Sequence, residues 1–292
     1  MNTTTPNVAF SSEAFLSPLI DLLCIEFILF GMFVAQAHTY WTSYHDTWGI
    51  RTMVLAICVF ETVHTVFAII LLHTYYEDST AAKLPVIWSA KAIILVKVVT
   101  IGIAEGFTLY RIQKLNPRAR YLALVPTFLI ISGIVLGVAV SIRFSDSCLQ
   151  AHFWEDLAGD TTTRDLLYAV FSATVAADVC NAGLLIYFLQ QHRSAFRRTH
   201  HFVQKVVFYA ANTGTLTAVF SIATLITFRM ETREATYIGM IEILSKMYAN
   251  AMITMLNARR PHMETRAIVN ETNAIPMANR PVTPRVCFAL LG

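Results

Sequence analysis

The chain has 292 residues, of which 55% are hydrophobic and only 14% charged, and its mean hydropathy is +0.54. Water-soluble domains carry about 25% charged residues, so this composition excludes an ordinary soluble fold and points to a chain immersed in a lipid bilayer. A formal charge of +3, without a basic run or a nucleic-acid motif, excludes nucleic acid as a partner.

Seven segments reach the roughly 20 mainly apolar residues that a bilayer requires. They run at 18–40, 51–75, 86–110, 121–143, 166–190, 203–228 and 235–257. The fold class read from them is all-α: an integral, multi-pass seven-helix membrane bundle over 18–260, preceded by an external segment at 1–17 and followed by a flexible tail at 261–292. Nothing basic lies between Met1 and Pro18, so no cleavable leader is expected, and the first helix should serve as its own insertion signal.

Taken in order, the first segment carries Glu26 at depth and Asp21 near its end. The second is interrupted by Glu61 and His64, and the third by Lys91 and Lys97, with Glu105 placed near the third segment's end. The fourth sets Gly133, Gly137 and Ser141 four apart, a small-residue face that allows close helix approach. A connection over 144–165 follows, read as a solvated loop carrying Phe153 and Trp154. In the fifth, Thr174, Asp178 and Asn181 share one face. The sixth aligns Thr213, Thr217, Ser221 and Thr224, hydroxyls expected to bond other helices or their own carbonyls. The seventh places Glu242, Lys246 and Asn250 at four-residue steps, with Asn257 close to the same line. Lipid cannot hydrogen-bond such a stripe, so it must face protein or a water-filled cavity.

Orientation follows from the connections. Arg51, then Arg111, Lys114, Arg118 and Arg120, then Arg193, Arg197, Arg198 and Lys205, and finally Arg259 and Arg260 fall on one side. That side is expected to be cytoplasmic, with the N-terminus outside and the C-terminus inside. Asn2 opens an Asn-Thr-Thr sequence on the outer side and is a glycosylation candidate. Arg193, Arg197, Arg198, Arg259 and Arg260 form a basic inner face suited to a cytoplasmic protein partner. Which membrane holds the chain is not legible.

A charge left alone at the bilayer centre costs about 2.5–3.5 kcal/mol, so acids and lysines at depth imply pairing across helices. The interior candidates are Glu61, His64, Lys97, Asp178, Asn181, Glu242, Lys246 and Asn250. Asp178 is the expected distant partner of Lys246, and Glu242, one turn away, its local one. His64 is read as a satisfied interior histidine, because His38 and His73 are not spaced to join it on one face. The five cysteines show no metal spacing, so no metal and no cofactor are expected. Two readings stay open for these groups: clasps that fix helix register, or a polar pocket for a small lipophilic ligand, a proton or a substrate.

The residues Asp178-Val-Cys-Asn181, Arg193-Ser-Ala-Phe196-Arg-Arg-Thr199, Asn212-Thr-Gly214-Thr-Leu216-Thr217, Ser245-Lys246-Met-Tyr248-Ala-Asn250 and Leu256-Asn257-Ala258-Arg259 carry a resemblance. Over about 172–260 the chain resembles a family of basidiomycete fungal seven-helix membrane proteins known only as a domain of unknown function, of the 6534 type. Ser194-Ala195 stands where that family has Thr-Gly, His200 where it has Asp, and Asn212 where it has Glu. The resemblance implies a membrane location and supplies no activity.

Four functions are compatible with these residues. A receptor or sensor fits the topology and the basic inner loops, although no Asp-Arg-Tyr ends the third helix and no Asn-Pro-x-x-Tyr ends the seventh. An intramembrane enzyme of the terpene-cyclase kind would need Glu61, Asp178 or Glu242 as a buried acid. A retinal protein would use Lys246, four residues after Glu242. Proton-coupled transport is the fourth, without inverted-repeat or broken-helix signs.

Overall fold

A computed structural model describes residues 12–77, 88–115, 121–150, 161–192, 201–230 and 236–258. Seven α-helices make up these residues: α1 (Ser12–Ser43), α2 (Trp48–Glu77), α3 (Trp88–Leu115), α4 (Leu124–Gln150), α5 (Thr161–His192), α6 (His201–Met230) and α7 (Thr236–Asn257). Each expected segment coincides with one helix, and most helices run past the apolar segment at one or both ends. The apolar count measures only the hydrocarbon core, whereas a helix continues into the interface until a breaker stops it. The expected loop at 144–165 shrinks accordingly, since α4 reaches Gln150 and α5 begins at Thr161. Asn2, Phe153, Trp154, Arg193, Arg197, Arg198, Arg259 and Arg260, with nearly all of the two terminal segments, lie outside the described residues.

Each helix packs on the next, α7 closes on α1, and α3 also reaches across to α7 and α5. The broadest interface joins α1 to α7, and within it Gly239 of α7 packs against Leu22 of α1. A Cβ there would lie 2.6 Å from Leu22 Cβ, so any larger residue would force Leu22 or the helix to shift. The small-residue face of α4 divides in two. A Cβ on Gly137 would meet Val98 Cγ2 of α3 at 2.7 Å, whereas Gly133 has nothing within 4 Å.

The surface has the polarity of a protein in lipid. Ile28, Phe128, Val135 and Leu216 are 60–72% exposed, while Glu26, Glu61, His64 and Lys246 are wholly buried. Water would drive the opposite sorting. Hydroxyls that face lipid or sit at interfaces bond the carbonyl one turn back in their own helix, as in Thr62 to Cys58, Thr74 to Ile70 and Thr227 to Ala223, each at 2.7–2.9 Å. Trp48 and Tyr121 stand out at helix ends, and Arg51 lies over the rings of Trp41 and Trp48, as interfacial aromatics do.

Six helices, α1 to α6, are long and apolar enough to cross a bilayer by composition alone. The seventh, α7, has 22 residues, about 33 Å at 1.5 Å per residue, which is also a span length. Its polar stripe lowers its hydropathy, and the bundle compensates by burying Gly239, Glu242, Ser245, Lys246, Met252 and seven other positions of the helix. The protein is a multi-pass membrane helical bundle organised around α7.

Candidate functional site

The stripe on α7 faces α1 along its length and α2 and α3 toward its start. Near the end where α7 finishes, Gln36 of α1 is the connector. Its amide nitrogen donates to Asn250 Oδ1 at 3.3 Å, its side-chain oxygen accepts from Thr254 at 2.7 Å, and its carbonyl accepts from Asn257 at 2.8 Å. Asn250 also donates to Leu29 O at 3.0 Å and to Lys246 O at 2.9 Å, and Tyr44 closes the row by donating to Asn257 O at 2.7 Å. These are neutral clasps that give the amides partners in a medium without water, with Asn257 Oδ1 alone in the row left unbonded.

One turn earlier the stripe becomes ionic. Lys246 Nζ lies 2.7 Å from Glu61 Oε2 and 3.4 Å from Glu26 Oε1, and donates to Thr65 Oγ1 at 2.8 Å and to Glu61 O at 3.2 Å. Thr65 in turn donates to Glu61 O at 2.9 Å, so its hydroxyl both accepts and donates. Phe30 covers the ammonium with its ring centroid at 5.0 Å. Ser245 donates to Glu61 Oε1 at 3.3 Å. Glu242 pairs with Lys97 of α3 through Oε1 and faces His64 Nε2 at 3.0 Å through Oε2. The other nitrogen of His64 faces Glu26 at 3.2 Å. Four helices are thereby joined through one ionic cluster, which we call the hub.

The hub holds three carboxylates and two ammoniums. His64 lies between two acceptors, which calls for a donor on each ring nitrogen; a doubly protonated imidazole would bring the cluster to neutrality. Glu26, His64 and Glu242 could present ligand atoms within 4.8 Å of one another. The same carboxylates already answer Lys97 and Lys246, so a metal cation placed there would also face two ammoniums.

Asp178 is not the partner of Lys246. It forms a second, separate network, accepting at Oδ2 from Ser221 of α6 at 2.6 Å and from Tyr248 of α7 at 2.5 Å. A face on α5 specifies that Asp178 points inward, but the ring order puts α6 and α7's Tyr248 in front of it and leaves Lys246 to α1 and α2. Glu242 is likewise engaged by Lys97 and His64 instead of Lys246. Glu105, expected near a helix end, is 6% exposed and points into the bundle, because α3 runs on to Leu115. Beside Asp178 lies a cavity of about 30 Å³, lined among others by Glu105, Thr108, Asp178, Asn181, Thr217 and Tyr248. That is room for about one or two water molecules. Glu105 Oε1 and Asn181 Oδ1 are buried there without a hydrogen-bond partner.

The hydroxyl stripe of α6 has the role expected from sequence. Thr217 and Thr224 bond carbonyls of their own helix at 2.9 Å, and Ser221 bonds across to α5. Sequence reasoning missed Tyr248, Thr65 and Gln36 as network members. Thr65 could have been found from its place four residues after Glu61, and Tyr248 from its place two residues after Lys246 among otherwise apolar neighbours; nothing in the sequence singles out Gln36.

Residues 174–261 match the model of a family described as a family of unknown function (DUF6534). The matched segment includes Asp178, Asn181, Ser221, Glu242, Lys246 and Tyr248, and agrees with the motif resemblance over 172–260. No curated protein and no solved structure matches the chain.

Proposed function

We propose that the protein is a seven-helix membrane receptor or sensor in which α1, α2, α3 and α7 are a fixed frame and α5 and α6 are the moving part. The observation that supports this reading is the unequal satisfaction of the two polar regions. In the hub each charged side chain has a counter-charge within 3.4 Å, besides hydroxyl and carbonyl partners, and Glu26 Oε2 is the one carboxylate oxygen there with neither an ion pair nor a hydrogen bond. At the α3–α5–α6–α7 cavity, a carboxylate and an amide oxygen are unpartnered. The cavity is too small for an organic molecule, so a lipophilic ligand could enter only if α5 and α6 move away from α7. Binding and helix displacement are then one event, and a ligand with higher affinity for the wider state shifts the population toward it.

Under the orientation expected from the connecting loops, the cavity lies in the inner half of the bundle, on the side of the basic face at Arg193, Arg197, Arg198, Arg259 and Arg260. Displacement there would alter the surface offered to a cytoplasmic partner. Glu61 and Glu242 are held by ammoniums, and Asp178 by two hydroxyls, which gives acid catalysis no uncommitted donor among the three acids it would need. Lys246 is enclosed by Glu61, Glu26 and Thr65, which favours pairing over an aldimine.

The test is a thermal-stability screen of the purified protein in lipid nanodiscs against fractionated membrane extracts. A ligand at a hundredfold excess over Kd stabilises by about 2.7 kcal/mol. The expected result is a stabilising fraction whose effect is lost in Asn181→Leu and kept in Asn250→Ala. A stabilising molecule that ignores Asn181→Leu would contradict the reading, as would stabilisation by none of the fractions.

A further inference from the structure

We infer that the cavity between α3, α5, α6 and α7 binds a small hard monovalent cation, of which sodium is the representative. This goes beyond the sensor reading and does not depend on it, because a cation would brace the closed bundle whether or not the bundle signals.

The inference rests on which atoms line the cavity and on what has already been done with their hydrogens. Thr108 Oγ1 donates to Ala104 O at 3.1 Å and Thr217 Oγ1 to Gly214 O at 2.9 Å, so both hydroxyl hydrogens are spent on backbone and both oxygens keep lone pairs. Tyr248 spends its hydrogen on Asp178 Oδ2. Glu105 Oε1 and Asn181 Oδ1 accept nothing, in residues that are each 6% exposed. The lining is thus a set of oxygen acceptors from three helices, α3, α5 and α6, and includes no lysine, arginine or histidine.

Such a set is costly when empty, since a buried carboxylate without a donor or counter-charge forfeits its hydration for nothing. Oxygen-only ligation selects hard cations over soft ones. A volume of about 30 Å³ admits a bare ion with roughly one water and excludes organic ammoniums. Charge favours the monovalent ion. Asp178 already neutralises part of its charge by accepting two hydroxyl hydrogens, leaving Glu105 as the one uncommitted carboxylate, whereas a calcium ion takes six to eight oxygens and commonly several carboxylates.

The experiment follows the melting temperature of the full chain in nanodiscs as sodium chloride replaces N-methylglucamine chloride at constant ionic strength and pH. Sodium should raise the Tm progressively, by about 5 °C at a hundredfold excess over Kd. Glu105→Gln, which keeps the shape and removes the charge, should melt no lower than wild type without sodium and should lose the sodium response. Asn181→Ala should shift the half-effective sodium concentration upward roughly tenfold, the equivalent of one lost ligand. Equal Tm values in both salts would overturn the inference, as would a response to calcium but not sodium, or a sodium response that survives Glu105→Gln. Stability that varies with pH and ignores sodium would also overturn it, in favour of a protonated Glu105.

Discussion

Replacing Lys246 by methionine removes the ammonium on which the hub turns while keeping most of the side chain's volume. Glu61 then loses its contact at 2.7 Å, and Glu26 retains only His64 at 3.2 Å. Both carboxylates are wholly buried, so neither can recover water. Breaking a buried pair by deleting one partner costs about 3–5 kcal/mol, because the other charge stays uncompensated. Lys246→Met should therefore destabilise the protein by that amount in reversible unfolding from bicelles, followed by steric trapping. Adding Glu61→Gln removes the stranded charge, and the double variant should be at least about 2 kcal/mol more stable than the sum of the single effects implies. Adding Asp178→Asn to Lys246→Met should instead be additive within about 0.5 kcal/mol, because Asp178 belongs to the Ser221–Tyr248 network. Coupling of Lys246 to Asp178, with additivity toward Glu61, would refute the assignment of partners.

Three further outcomes test the packing. Gly239→Ala should cost about 1–3 kcal/mol by forcing α7 from α1, with part of the loss restored by Leu22→Ala, as read from the Tm of single and double variants. Gly137→Ala should lower the Tm through Val98, while Gly133→Ala should be neutral or stabilising by roughly 0.5–1 kcal/mol, since it trades a flexible residue for a helix former with nothing in its way. Tyr248→Phe should cost about 1–3 kcal/mol by removing a donor from Asp178, and Ser221→Ala in the same background should add less than it does alone if the residual carboxylate becomes protonated; denaturant titration of the four proteins decides.

The fold was legible because membrane spans leave a length and composition signal that needs no knowledge of neighbours. The seventh helix shows where that signal weakens. Its stripe of Glu242, Lys246 and Asn250 reduces its apolarity, yet the same four-residue period declared that the helix faces inward. What the period could not declare is which helix stands opposite. Face and charge alone point Lys246 to Asp178, whereas the ring order gives it Glu61 and Glu26. Glu105 departs from its expected place for a different reason. An apolar segment ending at 110 put it within snorkelling distance of the interface, but α3 continues to Leu115 and carries it into the bundle. The cavity was out of reach for the same reason as the pairing, since it is built from α3, α5, α6 and α7 together.

The division into a fixed frame and a moving pair is best tested by spin-label distances in nanodiscs, on a background without the native cysteines. Labels at Val34 and Leu55 report α1 against α2, and labels at Leu55 and Leu216 report α2 against α6; all three positions face outward and are about half exposed or more. The expected result is one narrow distance for the first pair under every condition. The second pair should give two populations, whose ratio changes when membrane extract is added or when sodium is withdrawn. A second pair as narrow and unresponsive as the first, or a first pair that shifts with it, would contradict the account.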